Sequence, residues 1–178
     1  MEIKIRGLKG FKISEQAKII EAVEKMPLVL NSNLFKLAVI YGPLTETRGL
    51  RPIQIYEMLM SGADPLKDGT MPADGVLDVD LVGYVNWWSK VIGWTTRGSY
   101  QSHFNRKFFS AFNLEQIGGN ILHEAMHRMH FTHLGKWSTS VPYFYGAKYI
   151  KVYKELMKNG TVIPSTGNKI NLAISLDI

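Results

Sequence analysis

Four of the chain's five histidines fall inside one eleven-residue window, His123-Glu124-Ala125-Met126-His127-Arg128-Met129-His130-Phe131-Thr132-His133. The first five residues form an HExxH pattern, and no other segment constrains the fold as tightly. On a helix, residues four apart lie about 40° apart and one turn up, so His123 and His127 can aim at one ion. Glu124 sits between them, offset toward the same cavity. There it can polarise a water without occupying a ligand position. Imidazoles with one such carboxylate are the parts of a hydrolytic zinc site, which keeps three protein ligands and one open position.

The third ligand is the open question in the window. His130 continues the helical stripe, but seven residues of straight helix would separate it from His123 by about 10.5 Å along the axis. Zinc–nitrogen bonds of about 2.0–2.1 Å make that arrangement stretched. His133 fits better if the chain turns sharply after Met129 and returns to the metal from outside the helix. Such a turn needs left-handed backbone near residue 130. Glycine is usual there, though histidine tolerates it better than most residues. The expected ligands are therefore His123, His127 and His133, with His130 at the turn. Glu155, 28 residues after His127, is a rival third ligand. A site closed by His130 as well would suit a zinc held for folding rather than for catalysis.

The rest of the composition narrows the setting. At 178 residues the chain is expected to be one domain, with 164–178 as a C-terminal extension. Hydrophobic residues make up 46% and aromatics 11%, as in a folded globular protein. There is no cysteine, so disulfides and thiolate ligands are excluded and any zinc must be held by histidine and oxygen. No apolar run reaches membrane-spanning length, and the start at Met1 lacks a secretory apolar core. A host-cell cytoplasm or a virion both fit. The net charge of +6 is spread without a dense basic block, so nucleic acid is not an expected partner, and neither is a membrane.

Periodicity gives a coarse map. Residues 2–6 alternate as a strand, and a helix from Ser14 is stopped by Pro27. A helix runs from Asn33 to Tyr41, capped by Asn31 or Ser32, and another from Ile53 to Met60 behind Pro52. Residues 62–75 are loop, and Val76 to Val85 is a strand with Asp78 and Asp80 on one face, able to pair with Arg106 or Lys107. Short strands follow at Val91–Thr96 and Gln101–Arg106, joined by Arg97-Gly98-Ser99. Asn113 caps the motif helix, Leu114 to about Met129. A last helix spans Gly146 to Met157, and Lys169–Ile178 is a strand or extension. Trp87, Trp88 and Trp94 read as core, His103 as a surface or strand residue rather than a ligand, and Trp137 as core or pocket lining. The predicted class is α+β, with a small mixed sheet packed on the motif helix; with the histidine motif it is expected to resemble a compact zincin-like domain.

The spacing His123-Glu124-x-x-His127-x-x-His130-x-x-His133 resembles the metzincin zinc signature, with His130 at the glycine position. That resemblance implies a zinc endopeptidase in which Glu124 activates a metal-bound water. It also implies a turn beneath the metal near Ser140-Val141-Pro142-Tyr143, where this chain lacks the methionine. Tyr143 or Tyr145 would then contact the metal or the oxyanion. The segment Ser102–Arg106 would be the edge strand that aligns a peptide. More widely, Ile55-Tyr56-Glu57-Met58, Asp78-Val79-Asp80, Asn105-Arg106-Lys107-Phe108-Phe109 and the motif itself are similar to small metallopeptidase-like proteins encoded by bacteriophages. The resemblance covers most of residues 50–146. The implied partners are a peptide or protein substrate and other virion proteins. The alternative is a non-catalytic, zinc-stabilised virion or interaction protein.

Overall fold

Alternation at the N-terminus buries Ile5 and leaves Glu2 and Arg6 outside, giving strand β1 (Glu2–Lys9). The computed structural model describes residues 1–135 and 137–158, except the side chain of Trp137. Helices α1 (Ile13–Leu30), α2 (Asn33–Ile40) and α3 (Pro52–Met60) follow β1. Strand β2 (Val76–Tyr84) then returns parallel to β1, as a crossover through helices requires. Strands β3 (Gly93–Trp94) and β4 (Ser102–Asn105) complete the sheet before α4 (Leu114–Arg128) and α5 (Val141–Lys158).

The four strands lie in the order β1-β2-β4-β3. β4 is parallel to β2, and β3 is antiparallel to β4 at the edge. Among the described residues the architecture is thus a mixed α/β arrangement of a four-stranded mixed sheet and five α-helices. Leu77, Val79 and Leu81 point from one face of β2 into the core, which continues through Ile19, Met26, Ile121, Leu122 and Met126. α1 lies against β1, while α4 packs on α1, α5 and the β3–β4 end of the sheet. That places the motif helix beside the antiparallel edge. Among the described residues, no helix is long and apolar enough to cross a membrane.

Several expectations need correction. Pro27 lies inside α1 and does not stop it. It sits near the helix end, where Met26, Val29 and Leu30 are fully buried, and that packing outweighs one lost backbone bond. α5 begins at Val141, so Ser140-Val141-Pro142-Tyr143 is the entry to a helix rather than a free-standing turn. Pro142 suits that first turn because its missing N–H has no helical partner there. Trp87 and Trp88 are exposed, at 73% and 96%, and Trp94 is 45% exposed and stacked on His103. They are not core. Asp78 pairs with Arg6 at 2.7 Å and Asp80 accepts from Gln101, whereas Arg106 pairs with Glu15. β4 lies between β2 and β3, so the sheet edge is Gly93–Trp94, not Ser102–Arg106. The expected Lys169–Ile178 segment, the 164–178 extension and the role of the Trp137 side chain fall outside the described residues.

Candidate metal centre

The site begins with how α4 starts and stops. Asn113 Oδ1 accepts from Gln116 N–H at 3.3 Å, and Gln116 Oε1 accepts from Asn113 N–H at 3.0 Å, a reciprocal cap. At the other end Phe131 N–H reaches Met126 O (3.0 Å) and His130 N–H reaches His127 O (3.0 Å). These are the two bonds of a Schellman motif, with His130 as the left-handed residue at φ 70°. Its apolar contact partners, Met126 and Phe131, are fully buried. The chain therefore turns where the spacing requires, and His133 comes back toward the helix.

A second loop holds the returning segment. Arg48 donates to the Met129 carbonyl at 3.3 Å, one of the acceptors left over at the helix end, and lies over the Phe131 ring. Glu46 accepts from the backbone N–H groups of Leu134, at 2.7 Å, and Gly135. Both residues have positive φ, 56° for Glu46 and 58° for Arg48, which is uncommon away from glycine and costs backbone energy. His133 lies between the two anchor points. Neither residue carries a recognisable motif, so the sequence reading missed them.

His123, His127 and His133 each offer a ring nitrogen, and these atoms lie within 4.8 Å of one another. The Nε2 atoms of His123 and His127 are 3.2 Å apart. Donor atoms of a tetrahedral zinc stand about 3.3 Å apart, given bonds of about 2.0–2.1 Å. The protonation pattern adds weight. His127 Nδ1 is 2.8 Å from the Phe131 carbonyl, which can only accept, so Nδ1 carries the proton and Nε2 a lone pair. The His127 Nε2 lone pair thus faces His123 Nε2 across 3.2 Å, a separation at which one cation can be held between them. A backbone carbonyl that fixes the tautomer of a candidate ligand, as Phe131 does for His127, is the usual outer support of such sites.

Burial keeps the His123 and His127 rings neutral. It drives His123 down to about 3, helped by the neighbouring His127 and His133, and it lowers His127 as well. Neutral imidazole is the form that binds metal. Glu124 is 5% exposed, and burial lifts its carboxyl to about 7 against opposing contributions from Thr95 and Arg128. Its Oε2 is buried with no hydrogen-bond partner among the described residues. A Cβ at Gly93 would lie 2.9 Å from Oε1, so the edge strand makes room for the carboxylate by lacking a side chain. Gly93 and Thr95 were not singled out from the sequence.

Of the other candidates, Tyr143 is in place. Its ring lies 4.5 Å from His123 and 4.9 Å from His133, centroid to centroid, and burial raises its phenol so that the proton is retained. Tyr145 points into the core, edge-on to Phe35 at 6.0 Å, and is no part of the site. Glu155 is exposed on α5 and is not among the clustered donors. His130 turns away, with its ring against Gly98, where a Cβ would be 2.6 Å from it. α5 reaches His123 because Gly119 and Gly146 let the two helices touch. A Cβ on Gly146 would be 2.8 Å from the Gly119 carbonyl and 3.3 Å from His123 Cβ.

No known protein family, curated protein or solved structure matches this chain.

Proposed function

We propose that this chain is a zinc-dependent endopeptidase of metzincin-like design, with His123, His127 and His133 as the metal's protein ligands. When bound, zinc supplies Lewis acidity and makes water at its open position easier to deprotonate. The remaining work falls to the chain. Glu124 takes a proton from the water that attacks the scissile carbonyl carbon, then delivers it to the amine as the carbon–nitrogen bond breaks. A buried carboxylate beside the ligand positions can both take and return that proton. Tyr143, still protonated, donates a hydrogen bond to the oxyanion that develops on the carbonyl.

The observation that carries the reading is the pairing of a three-imidazole cluster with a buried, half-unsatisfied carboxylate on the adjoining helix position. A metal held only for folding needs no such carboxylate. A closed four-histidine site would need His130, whose ring lies on Gly98 instead.

Purified protein is expected to hold one zinc per chain and to cleave an unfolded protein substrate. Glu124→Gln should keep the zinc and lose about a hundredfold or more in cleavage rate, the usual worth of a general base. Undiminished cleavage by that variant, or no zinc uptake by the parent protein, would overturn the reading.

A further inference from the structure

The loop between β2 and β3 has no part in the metal centre, yet it is elaborately held. It carries Val85, Trp87, Trp88 and Val91, which are 48%, 73%, 96% and 49% exposed. Asn86 Oδ1 accepts from Trp88 N–H and Ser89 N–H at 3.1 Å each. Asn105 accepts from Asn86 N–H at 3.1 Å and donates to the Asn86 carbonyl at 2.9 Å. Lys107 Nζ donates to the carbonyls of Trp87 and Ser89. An ordered loop that presents two adjacent indoles to water opposes the hydrophobic effect, and such patches mark contact surfaces.

Beside this loop lies a cavity of about 400 Å³ lined by Trp87 and by Lys12, Lys18, Arg106 and Lys107, with Glu15 its one carboxylate. Hydrogen bonds from Lys18 and Lys107 to backbone carbonyls position these ammonium groups without neutralising them. Ile13, 87% exposed, sits between the lining residues Lys12 and Ser14. Lys90 is exposed in the same loop as the tryptophans.

We propose that this face docks on an anionic phospholipid surface, with Trp87, Trp88 and Ile13 in the headgroup region and the cationic cavity over a lipid phosphate. Charge complementarity selects an anionic partner. The aliphatic members, Ile13, Val85 and Val91, select a lipid interface over single-stranded nucleic acid, which uses planar stacking faces. Tryptophan favours the interfacial zone, and each lysine near an anionic leaflet adds to the attraction. The contact is peripheral and spans nothing. It departs from the sequence-based expectation of no membrane partner, and it is independent of the metal.

Sedimentation of the whole chain with phosphatidylcholine vesicles, with and without an equal share of phosphatidylglycerol, tests this. Binding is expected only to the anionic vesicles, with a blue shift in tryptophan emission and weakening as salt rises. Trp87→Ala/Trp88→Ala should reduce partitioning by about tenfold or more, judged from the apolar area withdrawn. Lys12→Ala/Lys90→Ala should weaken it by several-fold. Tyr41→Ala, at an 81% exposed aromatic on another element, should leave it unchanged. Equal binding to neutral vesicles, no binding at low salt, or tight binding of single-stranded oligonucleotide in place of vesicles would each overturn the proposal. So would concentration-dependent self-association without vesicle binding.

Discussion

At the scale of single residues, the proposed general base Glu124 also bears on stability. Its folded pKa of about 7 stands above the ordinary 4.5, so the metal-free fold prefers the protonated form. That preference stabilises fully below about pH 4.5 and is lost as pH rises through 7. At pH 8 the ionised carboxylate costs the metal-free protein on the order of 3 kcal/mol. Glu124→Gln, a neutral isostere, is expected to be more stable than the parent at pH 8 and equal to it near pH 4, both in chelator. Urea midpoints at the two pH values check this. The histidine contributions cancel because both proteins share them, and equal midpoints at pH 8 would contradict it. His130 and His133 are expected to divide between structure and ligation. His130→Gly should keep one zinc per chain and gain about 1 kcal/mol, since glycine accepts φ 70° without penalty. His133→Ala should fold and lose the metal. Zinc analysis of the two variants separates ligand from turn residue, and loss of zinc from the glycine variant would reverse the assignment.

Between elements, the decisive contact is the glycine seam of α4 and α5. Glycine inside a helix costs about 1 kcal/mol relative to alanine, so Gly118-Gly119 in the middle of α4 needs a packing reason. A Cβ on Gly119 would meet the Ile150 side chain at 2.7 Å and the Gly146 carbonyl at 3.0 Å. Gly119→Ala therefore gains helix propensity and loses helix contact. The contact should win, because backbone cannot yield as a flexible side chain does. The variant is expected to be less stable by about 1–3 kcal/mol and to bind zinc more weakly, as α5 shifts against His123 beside Gly146. Thermal melts and competition with a chelator measure the two effects, and a more stable variant with unchanged zinc affinity would refute the seam. Much of α4 itself was legible. Asn113, the HExxH spacing and the need for a bend after Met129 are local features, and local hydrogen bonding sets them. The start of α5 was not, because Val141 and Pro142 read as a turn until Val141 is buried at the helix entry.

Across the whole molecule, α4 is fastened to the sheet by a buried charge pair that periodicity could not reveal. Arg128, 2% exposed, reaches Asp64 at 3.1 Å, the Tyr100 carbonyl at 3.0 Å and the Asp78 carbonyl. It thereby links the end of α4 to β2, to the 62–75 loop and to the turn before β4. In the sequence Asp64 is one of several aspartates in a glycine-rich loop, and Arg128 is only the residue after His127. Nothing local joins positions 64 residues apart. A longer separation, 81 to 89 residues, hid the clamp of Glu46 and Arg48 on the His133 bend. Burial lifts the Asp64 carboxyl to about 6 while the Arg128 charge pulls it back, so it is ionised at neutral pH. Removing one member of such a pair strands the other charge in the interior, at a cost of about 3–5 kcal/mol. Asp64→Ala is expected to lower the unfolding free energy by that amount at pH 7. Replacing both residues, Asp64→Leu with Arg128→Met, should recover most of the loss, since no charge is left stranded. Urea unfolding of the two variants beside the parent reads this directly. If the double variant were no more stable than Asp64→Ala, the pair's contribution would lie in its hydrogen bonds to Tyr100 and Asp78 rather than in charge compensation. Arg128 would then act on the metal helix mainly as a backbone strut.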